Sequence, residues 1–169
     1  MVYLETQRLI LRDFHQKDLY QLAPILANSK VMKFSHTGIL SILQTKEKIH
    51  TFINSYKENG FGKWAVILKE TNKLIGYCGI AIEEIDKVHE REIGYRLAPE
   101  FWGKGLATEA TSATIQYAFK QLKFLYILGI VERENIASVK VLKKLGMRYE
   151  NKMIFHGIEM DIYRLNASH

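Results

Sequence analysis

The chain has 169 residues, of which 47% are hydrophobic and 25% charged, and its formal net charge is +6. A chain this apolar buries enough surface to offset its ordering entropy, which excludes disorder and predicts a single domain over residues 1–169. The single cysteine, Cys78, excludes an internal disulfide and a cysteine-based zinc site. No apolar run approaches the roughly 18 residues of a membrane span, and the N-terminus does not resemble a signal peptide. We therefore expect a cytoplasmic protein without a membrane partner.

The positive charge is spread along the chain. Lysine and arginine occur from Arg8 to Arg164 without a run of five and without a basic stripe that alternates with aromatic residues. This distribution argues against a nucleic-acid partner, because nucleic-acid surfaces cluster their cations. It fits a smaller polyanion such as a phosphate-bearing cofactor, and it equally fits a solvated surface that is basic without a ligand.

The first third of the chain predicts one strand and two helices. Residues 8–14 alternate apolar and basic side chains, which is typical of a strand. A helix is predicted over 17–27. A second helix over 45–59 has apolar residues at i, i+3, i+4 and i+7, and Gly60 follows as a stop signal.

The remaining segments alternate irregularly between strands and helices. They predict strands over 63–69, 74–83 and 92–97, a helix over 105–122, a strand over 124–131, a helix over 135–145, and strands over 148–154 and 158–165. Asn72 suits the turn between the first two of these strands, and Gly146 suits a helix end. Cys78 lies inside an apolar strand and is predicted to be a buried packing residue. The order predicts an α/β domain with a mixed sheet rather than a doubly wound fold.

A loop with two glycines is the most informative segment. From Glu92 the chain reads Glu-Ile-Gly-Tyr-Arg-Leu-Ala-Pro-Glu-Phe-Trp-Gly-Lys-Gly-Leu-Ala-Thr-Glu-Ala, a strand followed by a loop and a helix start. Gly103 and Gly105 remove side chains where a ligand can approach, and the amides of residues 105–108 stay free at the helix start. The loop therefore predicts a pyrophosphate cradle that Lys104 can assist, although ordinary strand-to-helix turns also contain Gly-x-Gly. It matches neither a Walker A loop nor a dinucleotide fingerprint.

Four stretches resemble the GCN5-related N-acetyltransferases (GNAT), in the branch of the ribosomal-protein-alanine N-acetyltransferases. The loop is similar to the family's acetyl-CoA signature, Gln/Arg-x-x-Gly-x-Gly/Ala. Gly105 and Ala107 match its last two positions, while Trp102 replaces Gln or Arg. The other similar stretches follow in family order: Glu-Thr-Gln-Arg-Leu-Ile-Leu-Arg (5–12), Glu-Ile-Gly-Tyr (92–95) and Asn-Ile-Ala-Ser (135–138).

The resemblance implies a single-domain α/β fold whose mixed, mostly antiparallel sheet has about seven strands and is flanked by about four helices. The family's fourth and fifth strands, here 92–97 and 124–131, are expected to splay and admit the pantetheine. The implied activity is direct acetyl transfer from acetyl-CoA to an amine. The six histidines show no metal-ligand spacing, so no metal is expected. The residues implied in acetyl-CoA binding are Tyr95, Arg96, Leu97, Trp102, Gly103, Lys104, Gly105, Leu106, Ala107, Thr108, Asn135 and Ser138.

The resemblance also implies two catalytic residues. Glu92 is the candidate general base, directly or through a water, with Glu90 as its rival and a surface ion pair as the alternative role for either. Many relatives carry a tyrosine acid seven residues after the asparagine, where this chain has Leu142. Ser138 is therefore the candidate donor to the leaving thiolate, unless it is only a small helix residue. Asn135 can bind the cofactor and also cap a helix.

The acceptor amine is the least determined part of the prediction. The resemblance implies that residues 30–45 and 152–157 build its site. A protein α-amine is partly neutral at pH 7 and needs less help from a base than a lysine-type amine. The net charge of +6 also repels a polycation. We expect the α-amine of a protein such as a ribosomal protein. Alternatives are a polyamine or aminoglycoside acceptor, or a non-catalytic acyl-CoA sensor. Both a monomer and a homodimer stay open.

Overall fold

The computed structural model describes residues 1–168. Eight strands in this range form one sheet. Its strands are β1 (Tyr3–Glu5), β2 (Leu9–Arg12), β3 (Lys63–Leu68), β4 (Lys73–Ile85), β5 (Val88–Leu97), β6 (Tyr126–Val131), β7 (Arg148–Phe155) and β8 (Ile158–Asn166). Their order across the sheet is β1-β2-β3-β4-β5-β6-β8-β7. Neighbours pair antiparallel except β5 and β6, which are parallel. The predicted mixed, mostly antiparallel sheet is confirmed.

Four α-helices cover the two faces of this sheet. They are α1 (Leu19–Leu26), α2 (Ile42–Asn59), α3 (Leu106–Lys120) and α4 (Ile136–Lys144), with short 3₁₀ turns at Gln16–Asp18 and Pro99–Phe101. Side chains of α1 and α2 form one hydrophobic core with the sheet, and side chains of α3 and α4 form another on the opposite face. Strand β3 alternates between these cores, with Trp64 in one and Ala65 in the other. It is buried on both faces, which explains its unbroken apolar run.

Helix ends follow the local capping residues. Helix α2 begins three residues before the predicted start because Ser41 and Gln44 form a capping box: the Gln44 amide donates to Ser41 Oγ (3.2 Å) and the Ser41 amide to Gln44 Oε1 (2.8 Å). It ends as predicted at Gly60, whose φ of 79° is left-handed. Gly146 also has a left-handed φ of 86° after α4.

The largest differences from the predicted strands are at β1 and at the start of β5. Strand β1 was not predicted, because three residues are too few to show an alternating pattern. Strand β5 begins at Val88 rather than residue 92. It pairs with β4 through a tight turn at Asp86 and Lys87, which have φ values of 49° and 64°. Non-glycine residues rarely adopt this conformation, so the sequence does not mark the turn.

Cys78 has the packing role that its apolar strand predicts. Its side chain is fully buried in the core beneath α3, and its Sγ lies 3.5 Å from Thr114 Oγ1. Burial raises the pKa of this thiol, which keeps it protonated and unreactive.

None of the helices within residues 1–168 is both long and apolar enough to span a membrane.

Candidate active site

The loop between β5 and α3 forms the predicted pyrophosphate cradle, residues 103–108. Gly103 and Gly105 have left-handed φ values of 72° and 76°, and no atom lies within 4 Å of where a Cβ on Gly103 would stand. The first backbone hydrogen bond of α3 joins the Glu109 amide to the Gly105 carbonyl (3.0 Å). Within the described chain, the amides of residues 105–108 therefore have no carbonyl partner. An exposed helix start with free amides fits a pyrophosphate such as that of acetyl-CoA.

The β1–β2 connection supports this cradle from behind. Glu109 Oε1 accepts hydrogen bonds from Thr6 Oγ1 (2.6 Å) and the Arg8 amide (2.8 Å), while Arg8 Nε donates to Glu109 Oε2 (2.7 Å). Arg8 Nη1 also donates to the Lys104 carbonyl (2.8 Å). The Thr-x-Arg of the opening segment and the glutamate of α3 therefore form one hydrogen-bonded unit that fixes the cradle.

The other predicted residues of this loop differ in what they expose. The indole Nε1 of Trp102 donates to the Leu97 carbonyl (2.8 Å), which ties the loop to the end of β5. Leu97 and Leu106 bury their side chains in the core, so only their backbone groups are available to a ligand. The Lys104 side chain is exposed and free to approach a phosphate, with Nζ 5.7 Å from the ring centre of Phe101.

Strands β5 and β6 share a very short ladder. It pairs Glu92 with Leu128, whereas the ladder on the other side of β5 pairs ten residues with β4. The edge of residues 95–97 that faces β6 lies beyond this ladder. This geometry suits the expected splay of the two strands and leaves part of the 95–97 backbone open to a ligand, whereas the Leu97 carbonyl is engaged by Trp102.

Tyr95 and Ser138 meet on the α3–α4 face of the sheet. Tyr95 Oη donates a hydrogen bond to Ser138 Oγ (3.1 Å), and the Ser138 amide donates to Asn135 Oδ1 (3.3 Å). Asn135 thus caps α4, while its side-chain nitrogen has no partner within residues 1–168. Burial raises the pKa of Tyr95 to about 12, so its hydroxyl stays protonated at neutral pH. Leu142 is buried in the core, where it packs against β6 at Gly129.

Glu92 faces the opposite side of β5, toward the layer of α1 and α2. Its side chain is 15% exposed, and its Oε2 lies 3.2 Å from Nζ of Lys63. Lys63 Nζ also donates to the Gly79 carbonyl (3.2 Å). Burial raises the pKa of the Glu92 carboxyl, and the Lys63 ammonium partly opposes that rise. A carboxylate with a raised pKa is a stronger base near neutral pH.

Glu90, the rival base, has a different partner. Tyr126 Oη donates to Glu90 Oε2 (2.7 Å), and the Arg164 guanidinium lies 3.7 Å from the centre of the Tyr126 ring. The hydrogen bond to Glu90 is the main reason that the pKa of Tyr126 is raised. Across the sheet Glu90 pairs with Glu83, so three carboxylates, with Glu92, lie on this face.

The two segments expected around the acceptor meet above this face. The rings of His36 and His156 stack at 3.9 Å between centres with 9° between their planes. One histidine belongs to the α1–α2 connection and the other to the turn between β7 and β8. Burial, followed by the charges of His156, Lys48 and Arg96, lowers the pKa of His36 and favours a neutral ring. Arg96 Nη1 donates to the Val31 carbonyl (3.1 Å) and holds the connection against β5.

Three partners of the site were not predicted: Lys63, Arg8 as the support of the cradle, and Tyr126. A lysine at the start of an otherwise apolar strand was the available signal for Lys63. The other two had no local signal. Within residues 1–168 no group of three or more histidine, cysteine, aspartate or glutamate residues could hold a metal ion.

Comparison of the sequence with known families and proteins finds clear relatives. The model of the acetyltransferase (GNAT) domain matches residues 8–148. The uncharacterized N-acetyltransferase YnaD of Bacillus subtilis is 34% identical over 149 residues, or 88% of this chain and 84% of that protein. Spermidine N(1)-acetyltransferase of Escherichia coli K12 is 34% identical over 76 residues, or 44% of this chain and 41% of that enzyme.

Solved structures share the whole fold. An acetyltransferase (GNAT family) from Bacillus anthracis superposes with a TM-score of 0.84 at 29% identity, and 98% of each chain is covered. The ribosomal-protein-S5-alanine acetyltransferase from Vibrio fischeri superposes with a TM-score of 0.79 at 21% identity, covering 98% of this chain and 97% of that one. With the family match over residues 8–148, these likenesses show that the chain belongs to the GNAT family and is an acetyl-CoA:amine N-acetyltransferase.

Proposed function

We propose that this enzyme acetylates the N-terminal α-amine of a protein or peptide, such as a ribosomal protein. Glu92 is the proposed general base and Ser138 the proposed proton donor to the leaving thiolate. The observation that carries the proposal is the placement of Glu92: a carboxylate that is largely buried and paired with Lys63, on the face of β5 that turns toward α1 and α2.

Acetyl-CoA supplies the acetyl group as a thioester when it is bound. In the proposal, the free amides of the pyrophosphate cradle and Lys104 hold its pyrophosphate, and the backbone of residues 95–97 aligns its pantetheine. Asn135 can contribute its unpartnered side-chain nitrogen, Trp102 directly precedes the cradle, and Thr108 lies in the first turn of α3. These contacts need no metal ligand and use backbone groups that the fold leaves open.

The acceptor ammonium must lose two protons in all, one before it attacks and one as the C–N bond forms and the C–S bond breaks, and the departing sulfur must gain one proton. Glu92 takes the proton from the acceptor ammonium, directly or through a water, and leaves a neutral nucleophile. Ser138 Oγ accepts a hydrogen bond from Tyr95, so its own proton is free for donation to the sulfur. Because Glu92 and Tyr95 point to opposite faces of β5, proton removal and proton donation occur on opposite sides of this strand.

The α-amine is favoured by pKa arithmetic. With a pKa near 8, about a tenth of an α-amine is already neutral at pH 7, compared with less than a thousandth of an amine with a pKa near 10.4. A site with a single buried carboxylate base fits the less demanding substrate. A protein acceptor also fits a site built by two separate segments, residues 30–45 and 152–157, which meet at the His36–His156 stack.

A polyamine is the second candidate, and two observations favour it. Glu83, Glu90 and Glu92 lie on one sheet face, where they can attract a cation locally despite the net charge of +6. The local match to the spermidine enzyme points the same way. Against this, Lys63 neutralises Glu92 and Tyr126 engages Glu90. A monomeric or homodimeric state and a cytoplasmic location stay predictions.

The test is the release of free thiol from acetyl-CoA across an amine panel. The panel contains peptides with a free N-terminus, the same peptides with a blocked N-terminus, spermidine and an aminoglycoside. We expect fast release with free N-termini alone. Faster turnover of spermidine than of every free peptide would assign a polyamine acceptor instead. Tight CoA binding without turnover of any amine would indicate a non-catalytic sensor.

A further inference from the structure

Lys63 is a lysine whose charged end is buried inside the protein. The residue is 8% exposed and stands at the first position of β3. Its Nζ contacts Glu92 Oε2 and the Gly79 carbonyl, each at 3.2 Å, and its own carbonyl accepts a hydrogen bond from the Tyr56 hydroxyl. Both ends of the residue are therefore fixed, the backbone by α2 and the ammonium by β4 and β5.

Packing alone does not account for a charge at this place. The other residues of β3 are Trp-Ala-Val-Ile-Leu, and an apolar side chain at position 63 would continue that pattern. Burying an ion pair costs desolvation that its attraction often fails to repay, and apolar replacements are often as stable or more stable. A buried lysine that contacts the candidate base therefore suggests a role in function rather than in stability.

The backbone beside the pair leaves room for it. A Cβ on Gly94 would stand 2.5 Å from Lys63 Nζ and 3.1 Å from Glu92 Oε1, so any larger residue would push the ammonium aside. Gly79 and Gly94 face each other across β4 and β5, and Lys63 pairs with Gly79 from β3. The ammonium therefore contacts the carbonyl of Gly79 and lies over Gly94, where a side chain would displace it. This contact explains why a glycine stands at position 94 in the Glu-Ile-Gly-Tyr segment.

The other charged groups near Glu92 contact other partners or carry a negative charge themselves. On its own strand, Arg96 donates to the Val31 carbonyl and Glu90 accepts from Tyr126 of β6. Arg164 of β8 lies on the Tyr126 ring. From β4, Glu83 acts against ionisation of Glu92. Lys63 is therefore the cation in direct contact with the Glu92 carboxylate.

We infer that Lys63 is a positioning residue for the general base: its ammonium holds the Glu92 carboxylate above Gly94 and favours its charged form. The inference rests on the proposed role of Glu92. It predicts that Lys63 sets the pH at which the enzyme begins to deprotonate its acceptor. Without the ammonium, only the charge of Arg96 still opposes desolvation and Glu83, so Glu92 stays protonated to a higher pH.

The main test replaces Lys63 by methionine, which is unbranched and one atom shorter than lysine and removes the charge. The titration of the Glu92 carboxyl is followed by carbon NMR in the free enzyme, and kcat/KM is measured against pH. We expect both midpoints to rise by about one pH unit or more, the scale of losing an opposite charge at this distance. Below the midpoint, this shift corresponds to about a tenfold loss of rate per unit.

A matched control is Lys69→Met. Lys69 follows the end of β3 and pairs with Glu5 (2.7 Å) rather than with Glu92. Its replacement changes the net charge by the same amount as Lys63→Met. It should leave both midpoints where they are. The variant Gly94→Ala keeps the lysine but places a methyl group against its ammonium, and we expect a smaller rise in the same direction. Gly94→Ala also provides the test if Lys63→Met does not fold.

The outcomes separate the inference from the function on which it rests. An unchanged NMR midpoint of Glu92 in Lys63→Met, or in Gly94→Ala if only that variant folds, would overturn the inference. A raised NMR midpoint with an unchanged rate profile would show that Lys63 acts on the Glu92 carboxylate but that Glu92 is not the base. In that case Glu92→Gln would also leave the rate profile unchanged.

Discussion

At the scale of single residues, Glu92 and Ser138 have different surroundings. Glu92 projects from one face of β5, whereas Ser138 of α4 contacts Tyr95 on the other face. Glu92 is buried and faces an ammonium, so its charge depends on a balance between desolvation and attraction. Ser138 is neutral and accepts a hydrogen bond from Tyr95. A change at Glu92 should therefore appear in the pH dependence, whereas a change at Ser138 should appear in kcat.

The variant Glu92→Gln removes the proposed base without changing its size. We expect kcat/KM at neutral pH to fall by roughly 10²- to 10⁴-fold, the usual contribution of a general base. The pH–rate profile should move to higher pH, where the amine deprotonates without help. Glu84→Gln is the matched control, because this carboxylate is exposed and its Oε2 lies 3.7 Å from Nε2 of His89 rather than against a lysine. Similar profiles for the two variants would remove Glu92 from the mechanism.

The variant Ser138→Ala removes the proposed donor to the leaving sulfur. We expect kcat to fall by roughly 10- to 1000-fold with a smaller change in KM. Tyr95→Phe should lower kcat in the same direction but less, because it only orients the serine hydroxyl. Ser112→Ala on α3 serves as a control, since Ser112 contacts Gln116. An unchanged kcat at saturating substrate in Ser138→Ala would leave Ser138 with a packing role alone.

At the scale of elements, the start of α3 depends on two features. The left-handed glycines let the backbone turn into the helix, and the β1–β2 connection holds Glu109 and the Lys104 carbonyl. The first feature concerns ligand binding. The second feature concerns the stability of the loop that binds.

Replacing Gly105 by valine should abolish much of the affinity for CoA. A β-branched side chain strains the left-handed backbone and fills the approach to the free amides. Gly60→Val is a matched control, because Gly60 has a similar φ of 79° and no atom within 4 Å of where its Cβ would stand, but lies at the end of α2. Calorimetry should find weaker CoA binding only for the folded Gly105→Val protein. Equal affinities in the two variants would contradict the cradle.

The Glu109 carboxylate should contribute stability that depends on pH. Partial burial favours its neutral form, but hydrogen bonds from Thr6 and Arg8 outweigh this and lower the pKa of Glu109. A lowered pKa in the folded state gives stability that is full above the unfolded value near 4.3 and is lost as the pH falls. Glu109→Gln should therefore reduce the free energy of unfolding by about 1–3 kcal/mol at pH 7 and by less at pH 3. Urea unfolding at both pH values measures this, and an equal loss at both would contradict it.

At the scale of the whole molecule, local patterns predicted far more than long-range contacts. Local sequence predicted all four helices, two of them from apolar spacing, and a contiguous loop predicted the cradle, because each signal lies within one short stretch. The Lys63–Glu92 pair joins residues 29 positions apart, and Arg8 and Glu109 are 101 apart, so no local pattern relates them. They meet only because β3, β4 and β5 are neighbours and β2 passes beneath α3. Both cores pack against one sheet, and the single domain over residues 1–169 stays a prediction.

The most direct measurement of the central claim uses one peptide that carries both a free N-terminus and an internal lysine. The peptide is incubated with enzyme and acetyl-CoA at pH 7, and fragment masses locate the acetyl group. Because the α-amine is the more readily deprotonated of the two, we predict acetylation at the N-terminus, and loss of this product in Glu92→Gln. Acetylation of the lysine in preference to the N-terminus, or an equal yield from the Glu92→Gln enzyme, would contradict the account.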